Sequence, residues 1–87
     1  MKKIDLINGE FNRQDTLDLI TQMINIKINY HENKILKSDN EEDTKYRESK
    51  IKKLQSELNN LKNNFDANID SFSIISTVQI DHKINQN

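Results

Sequence analysis

Two stretches of helically spaced apolar residues, separated by an acidic turn, constrain this chain more than any other feature. The first stretch has two neighbouring stripes, which together make a wide apolar face on a helix predicted over about residues 13–37. Its main stripe is Leu17, Ile20, Ile24, Ile28, His31 and Ile35, and the neighbouring stripe is Leu19, Met23, Ile26 and Tyr30. Asn12 stands three residues before Asp15, which predicts an N-cap at Asn12 because an Asn side chain can accept from the free amides of a first turn.

The second stretch is narrower and repeats in alternating steps of three and four, like the a and d positions of a coiled-coil heptad. It comprises Ile51, Leu54, Leu58, Leu61 and Phe65. The pattern predicts a second helix over about residues 41–70. Two residue pairs at its start have the spacing of a capping box, namely Ser38 with Glu41 and Asp39 with Glu42. A short connection between two long helices predicts an antiparallel hairpin.

Both ends of the chain have features of β-structure. Residues 3–7 form a β-prone run closed by Asn8-Gly9, and Asn-Gly is the strongest short turn signal. Residues 73–80 alternate apolar and polar side chains with the period of a strand. In an antiparallel hairpin these two segments lie at the same end, so they can pair within the chain or with strands of another subunit. We therefore predict a single, mainly α domain over residues 1–87, a two-helix hairpin with short terminal β segments.

The shortness of the chain predicts self-association. Domains below roughly 80 residues usually need a disulfide, a metal or a partner chain to be stable, and 87 residues with no cysteine and two histidines leave the partner chain. The wide face of the first helix also exceeds what the narrow second stripe can cover. We expect a dimer or tetramer of hairpins that forms a multi-chain helical bundle. The predicted interface comprises Leu17, Ile20, Ile24, Ile28, His31, Ile35, Ile51, Leu54, Leu58, Leu61 and Phe65.

The composition argues against several kinds of chemistry. The absence of cysteine removes disulfide frameworks, zinc knuckles and redox motifs, and a single glycine, Gly9, cannot build a phosphate-cradling loop. His31-Glu32 is not a zinc-protease helix, because the second histidine would have to stand where Ile35 is. We interpret His31 as a packing histidine that hydrogen-bonds a polar neighbour. The chain is therefore expected to have no catalytic residue, no cofactor and no metal.

Charge and hydropathy bear on possible partners. Thirteen Lys+Arg against fourteen Asp+Glu leave no electrostatic footprint for nucleic acid or an anionic membrane. A mild basic strip runs along the second predicted helix, and Glu48 and Glu57 interrupt it, so salt-sensitive binding to nucleic acid is an unfavoured alternative. The strip comprises Arg47, Lys50, Lys52, Lys53 and Lys62. No apolar run approaches the roughly 18 residues of a membrane span, and no signal peptide opens the chain. We expect a soluble, cytoplasmic protein.

Several segments resemble a group of short uncharacterised bacterial proteins, which share a Gly-Glu-Phe start and a Lys-Ile-x-x-His-Glu segment. The segments are 7–11, 17–20, 26–34, 41–43, 47–54 and 76–80. The resemblance implies a helical hairpin with a β tail and brings no activity to transfer. The predicted function is a non-enzymatic structural or protein-interaction module that self-associates through its helices. The alternative is a small accessory regulator or inhibitor, of phage, mobile-element or antitoxin type, that binds a macromolecular partner.

Overall fold

The protein folds as a helical hairpin with a two-stranded ribbon at its open end. The computed structural model describes residues 1–66 and 68–83. Within them, the chain runs through strand β1 (Lys2–Asn12), helix α1 (Arg13–Leu36), helix α2 (Glu41–Asn63) and strand β2 (Ser71–Ile80). The helices pack together, and β1 and β2 pair antiparallel. This confirms the predicted hairpin. Of the two pairings that the sequence left open for the chain ends, the structure has the one within a single chain.

Helix α1 begins and ends close to the predicted residues. The side chain of Asn12 accepts a hydrogen bond from the backbone amide of Asp15, at 2.8 Å, so the predicted N-cap is confirmed. The hydroxyl of Thr16 donates to the Asn12 carbonyl at 2.8 Å and thereby satisfies a second group at this junction. The helix ends at Leu36, with Lys37 as its C-cap.

The start of α2 corrects the predicted capping boxes. Helix α2 begins at Glu41, but its N-cap is Asn40, whose side chain accepts from the Asp43 amide at 3.1 Å. Ser38 serves the turn instead, since its hydroxyl oxygen accepts from the Asn40 amide at 3.1 Å. Asn is as good an N-cap as Ser or Asp. Capping at Asn40 also places three acidic residues in the first turn, where the helix dipole favours them.

Helix α2 ends at Asn63, so the prediction of a helix to about residue 70 is wrong. Asparagine is a weak helix former, and Asn59, Asn60 and Asn63 weaken the last turns. Phe65 leaves the helix and stacks on Phe72 of β2, with ring centroids 4.5 Å apart. The contact between these two rings joins the hairpin to the ribbon, and a helix continued past Phe65 would break it.

The strand β1 is longer than predicted, and the turn predicted at Asn8-Gly9 is absent. Asn8 and Gly9 lie within β1 opposite Ile75 and Ile74, and no residue in the described ranges has a positive φ. A two-residue turn would need a returning strand directly after it, but the chain there enters α1. Pairing with the distant strand β2 therefore overrides the local turn preference.

A β-bulge keeps the apolar side chains of β1 on one face. The register shifts between Asp5 and Ile7, so Leu6 is the extra residue. Because residues alternate faces along a strand, Ile4 and Ile7 would lie on opposite faces without this shift. We call the face toward the helices the inner face. It contains Lys2, Ile4, Ile7, Gly9 and Phe11 of β1 and Phe72, Ile74, Ser76, Val78 and Ile80 of β2.

The molecule is elongated, and a single chain has almost no hydrophobic core of its own. Its radius of gyration is 16.5 Å, against about 12 Å for a compact chain of this length. Among the described residues, Ile28 is the one hydrophobic residue that counts as buried, at 8% exposed. The accessible surface is 7306 Å², about 2,000 Å² more than the size of the chain predicts.

Candidate interaction surfaces

The predicted interface residues mostly pack inside the hairpin of a single chain. Ile28 and His31 are buried, and the other nine are half-buried. Phe65 lies beyond α2 and contacts the ribbon through Phe72. The main stripe of α1 and the stripe of α2 are therefore largely used to join the two helices. A role for these residues between chains stays a prediction.

His31 lies between the helices and has a polar neighbour, as predicted. Its Nδ1 is 3.2 Å from Nη1 of Arg47, and the Arg47 guanidinium also pairs with Asp43 at 3.3 Å. A guanidinium can only donate, so Nδ1 accepts and the proton of the neutral ring lies on Nε2. That nitrogen is buried without a hydrogen-bond partner in the described part of the chain.

The surroundings of His31 oppose its protonation. Burial of the ring lowers the pKa of His31 below the ordinary value of 6.5, and the charges of Arg47, Lys27 and Lys50 lower it further. A second proton would place an N–H against the Arg47 guanidinium. The imidazole is therefore harder to protonate than a free histidine, which suits a packing histidine.

Arg13 has a structural role that the sequence patterns missed. Its guanidinium donates to the carbonyl oxygens of Asp66, at 2.6 Å, and Ile69, at 2.8 Å. These carbonyls belong to the connection between α2 and β2, so Arg13 fixes that connection to the start of α1. The one available signal was its position directly after the N-cap, at the end of the hairpin where the predicted β segments meet.

The far half of the ribbon extends beyond the helices. The half-buried residues of β2 are Phe72, Ile74 and Ser76, and beyond them every residue of the strand is exposed. On the inner face of this far half, Ile4 and Val78 are exposed, and Ile80 is 54% exposed. These apolar side chains point toward the side on which the helices lie, and Ile4 and Val78 remain 38% and 37% exposed there.

A second exposed surface lies on the helices. Ile26 and Tyr30, one turn apart on α1, are 70% and 53% exposed. The Arg47 guanidinium lies 5.8 Å from the centre of the Tyr30 ring, and Lys34 lies 5.7 Å from it. Nearby, Lys27, Lys50 and Lys53 line a cavity of about 130 Å³ between the helices, together with Leu54 and Glu57. This surface, which we call the cationic surface, combines the exposed Ile26 and Tyr30 side chains with positive charge.

The described residues contain no set of three metal-ligating side chains placed to hold an ion. His82 lies at the far end of the ribbon, beside Met1, Lys2, Ile80 and Asp81, whereas His31 lies between the helices. Over residues 1–66 and 68–83, neither helix is both long enough and apolar enough to cross a membrane. The predictions of no enzymatic activity and of a cytoplasmic location stay predictions.

Comparisons of the chain with family models, with curated proteins and with solved structures found no match. The resemblance to short bacterial proteins with a Gly-Glu-Phe start therefore stays a prediction. The candidate function rests on the surfaces described above.

Proposed function

We propose that this chain is a non-enzymatic interaction module that works as a homo-oligomer. One observation carries the proposal, namely the surplus of accessible surface. A chain of this size is expected to expose about 5,350 Å² when folded, and this one exposes 7306 Å². The excess is more than twice the roughly 800 Å² that each partner contributes to a standard protein interface.

The scarcity of buried apolar residues supports the same proposal. Each Ile or Leu side chain that becomes fully buried contributes about 1.5–3 kcal/mol, but within the described residues Ile28 alone comes close to that state, at 8% exposed. A two-stranded ribbon is also only marginally stable in water. A second copy that covers exposed apolar side chains of the ribbon supplies the stabilisation that one copy lacks.

Unfolding at different protein concentrations tests this proposal. If folding and association are coupled, the midpoint of urea unfolding, followed by circular dichroism, rises as the protein concentration increases. We expect such a rise over a hundredfold range of concentration. A midpoint that does not change over this range would mean that a single chain is stable alone, and the proposal would be wrong.

The cationic surface favours a second candidate function, the accessory regulator. Exposed Tyr30 and Ile26 beside several cations form a patch that fits an acidic surface of another protein. The test measures binding of the intact protein to proteins from its native host, with Lys50→Glu and Lys53→Glu as variants and Lys62→Glu, outside the patch, as the control. Loss of protein binding in Lys50→Glu and Lys53→Glu, with binding kept in Lys62→Glu, supports this candidate. Equal loss of binding in all three variants contradicts it. Salt-sensitive binding of nucleic acid, with no bound protein, would also contradict it and would indicate a nucleic-acid partner.

A further inference from the structure

We propose that the free edge of β2 pairs with the free edge of β2 in a second copy of this chain. The two ribbons then form one four-stranded antiparallel sheet in the order β1-β2-β2-β1. This inference rests on the self-association proposed above and names the surface that produces it. Three observations carry it: the unequal edges of the ribbon, the partly exposed apolar side chains of its far half and the surplus surface.

The two free edges of the ribbon differ in their protection. A free edge presents unpaired backbone groups, and proteins prevent unwanted pairing there with charged side chains and bulges. β1 has both kinds of protection, because its register shifts at Leu6 and it is rich in charge. Its charged residues are Lys2, Lys3, Asp5 and Glu10.

Strand β2 has no such protection. Between Ser71 and Ile80 it has no charged residue, no proline and no glycine. An uncharged, regular strand of ten residues is the kind of edge that pairs with another strand when it is left open. Because β2 is uncharged, two copies of it meet without electrostatic repulsion, so a second copy is a suitable occupant of this edge.

Antiparallel pairing through β2 also covers the apolar far half of each ribbon. A two-fold axis through the middle of β2 places the near end of one ribbon beside the far end of the other. The hairpin that covers Phe72 in its own chain then lies on the same side of the sheet as Ile4, Val78 and Ile80 of the second copy. Four strands with helices on one face form a stable arrangement, whereas two strands alone do not.

Single introduced cysteines test the pairing directly, because the chain has none of its own. Ile75 and Asn8 are opposite each other in the register and share the outer face, so they differ mainly in which edge they lie on. Two further pairs of opposite residues on the outer face are used in the same way, Ser73 with Glu10 and Thr77 with Asp5. In each variant, disulfide-linked dimers are measured by non-reducing gel electrophoresis during mild oxidation of the folded protein.

We expect at least one of Ile75→Cys, Ser73→Cys and Thr77→Cys to form the linked dimer about tenfold faster than its β1 partner, because residues opposite each other across an antiparallel pair lie within disulfide reach. The residue nearest the two-fold axis should be the fastest. Equal rates on the two strands, or faster linkage through Asn8→Cys, would overturn the inference.

A lysine on each edge provides an independent measurement. Ile75 is 75% exposed in the single chain, so Ile75→Lys removes little packing within it, but it brings like charges together across a β2–β2 pair. We expect Ile75→Lys to raise the dissociation constant of the dimer at least about tenfold and Asn8→Lys to leave it within about twofold. The dissociation constant is measured by sedimentation equilibrium, with circular dichroism to confirm the helical content.

The outcomes separate this inference from the proposed function. If the unmodified chain is a dimer and the β2 variants behave like their β1 partners, self-association stands and the β2 edge is wrong as its site. If the unmodified chain is a folded monomer, both proposals are wrong.

Discussion

Replacement of Ile28 by alanine gives the sharpest test of how the hairpin is stabilised. Ile28 is 8% exposed, whereas Ile26, two residues away on the same helix, is 70% exposed. Removing the outer carbons of a buried isoleucine costs about 0.8 kcal/mol for each carbon, and a residual cavity adds to this loss. The better helix propensity of alanine returns about 0.4 kcal/mol. We expect Ile28→Ala to lower the free energy of unfolding by about 2–3 kcal/mol.

The matched variant Ile26→Ala gains the same helix propensity and loses almost no packing. Its free energy of unfolding should lie within about 0.5 kcal/mol of the original, on the stabilised side. Urea unfolding followed by circular dichroism measures both variants, and an unchanged denaturant slope confirms that they unfold like the parent. Equal losses at the two positions would refute this account of packing within the hairpin, since they would show that the exposed face of α1 is buried by another chain.

Three further predictions concern His31, Gly9 and Arg13. The lowered pKa of His31 means that the unfolded chain binds a proton more readily than the folded one, so its contribution to stability is complete above about pH 6.5 and falls as the pH drops below that value. His31→Gln should reduce the difference in unfolding free energy between pH 7.5 and pH 5.5, and an equal difference in both proteins would contradict this. Gly9→Ala should stabilise the protein by about 0.5–1 kcal/mol. Gly9 lies in a strand without positive φ, and an added Cβ would make an ordinary contact with the Phe11 ring at 3.6 Å. A loss of stability of the same size would instead support a turn at Gly9. Arg13→Gln should lower the unfolding free energy by about 1 kcal/mol, because two carbonyl oxygens lose their donor. Arg13→Lys should also lower it, and an Arg13→Lys variant as stable as the parent would mean that charge alone matters.

The helical hairpin was predictable because its signals are local and agree with one another. The stripe from Leu17 to Ile35 lies within α1 and Asn12 caps its start, and each signal depends on residues a few positions apart. The start of α2 was correct to the residue although its capping residue was wrong. Asn40 has no capping-box partner at the required spacing, so the pairs Ser38–Glu41 and Asp39–Glu42 matched the pattern better than the true cap did.

The errors occurred where distant residues decide the local structure. Asn8-Gly9 lies in a strand because it pairs with Ile75 and Ile74, more than sixty residues away. Phe65 lies outside α2 because its ring stacks on the ring of Phe72. Neither the bulge at Leu6 nor the hydrogen bonds of Arg13 can be recognised from the neighbouring residues in the sequence. The inner face of the ribbon depends on all of these features, so the candidate edge on β2 could not be recognised before the pairing was known.

Sedimentation equilibrium of the unmodified chain, repeated over a series of dilutions, tests the central claim most directly. Self-association predicts a folded species with a mass of at least twice the 10.3 kDa of one chain, and the β2–β2 sheet predicts a mass of twice that value which persists on dilution to low micromolar concentration. A species of 10.3 kDa that retains its full helical circular dichroism signal at every concentration would contradict the account.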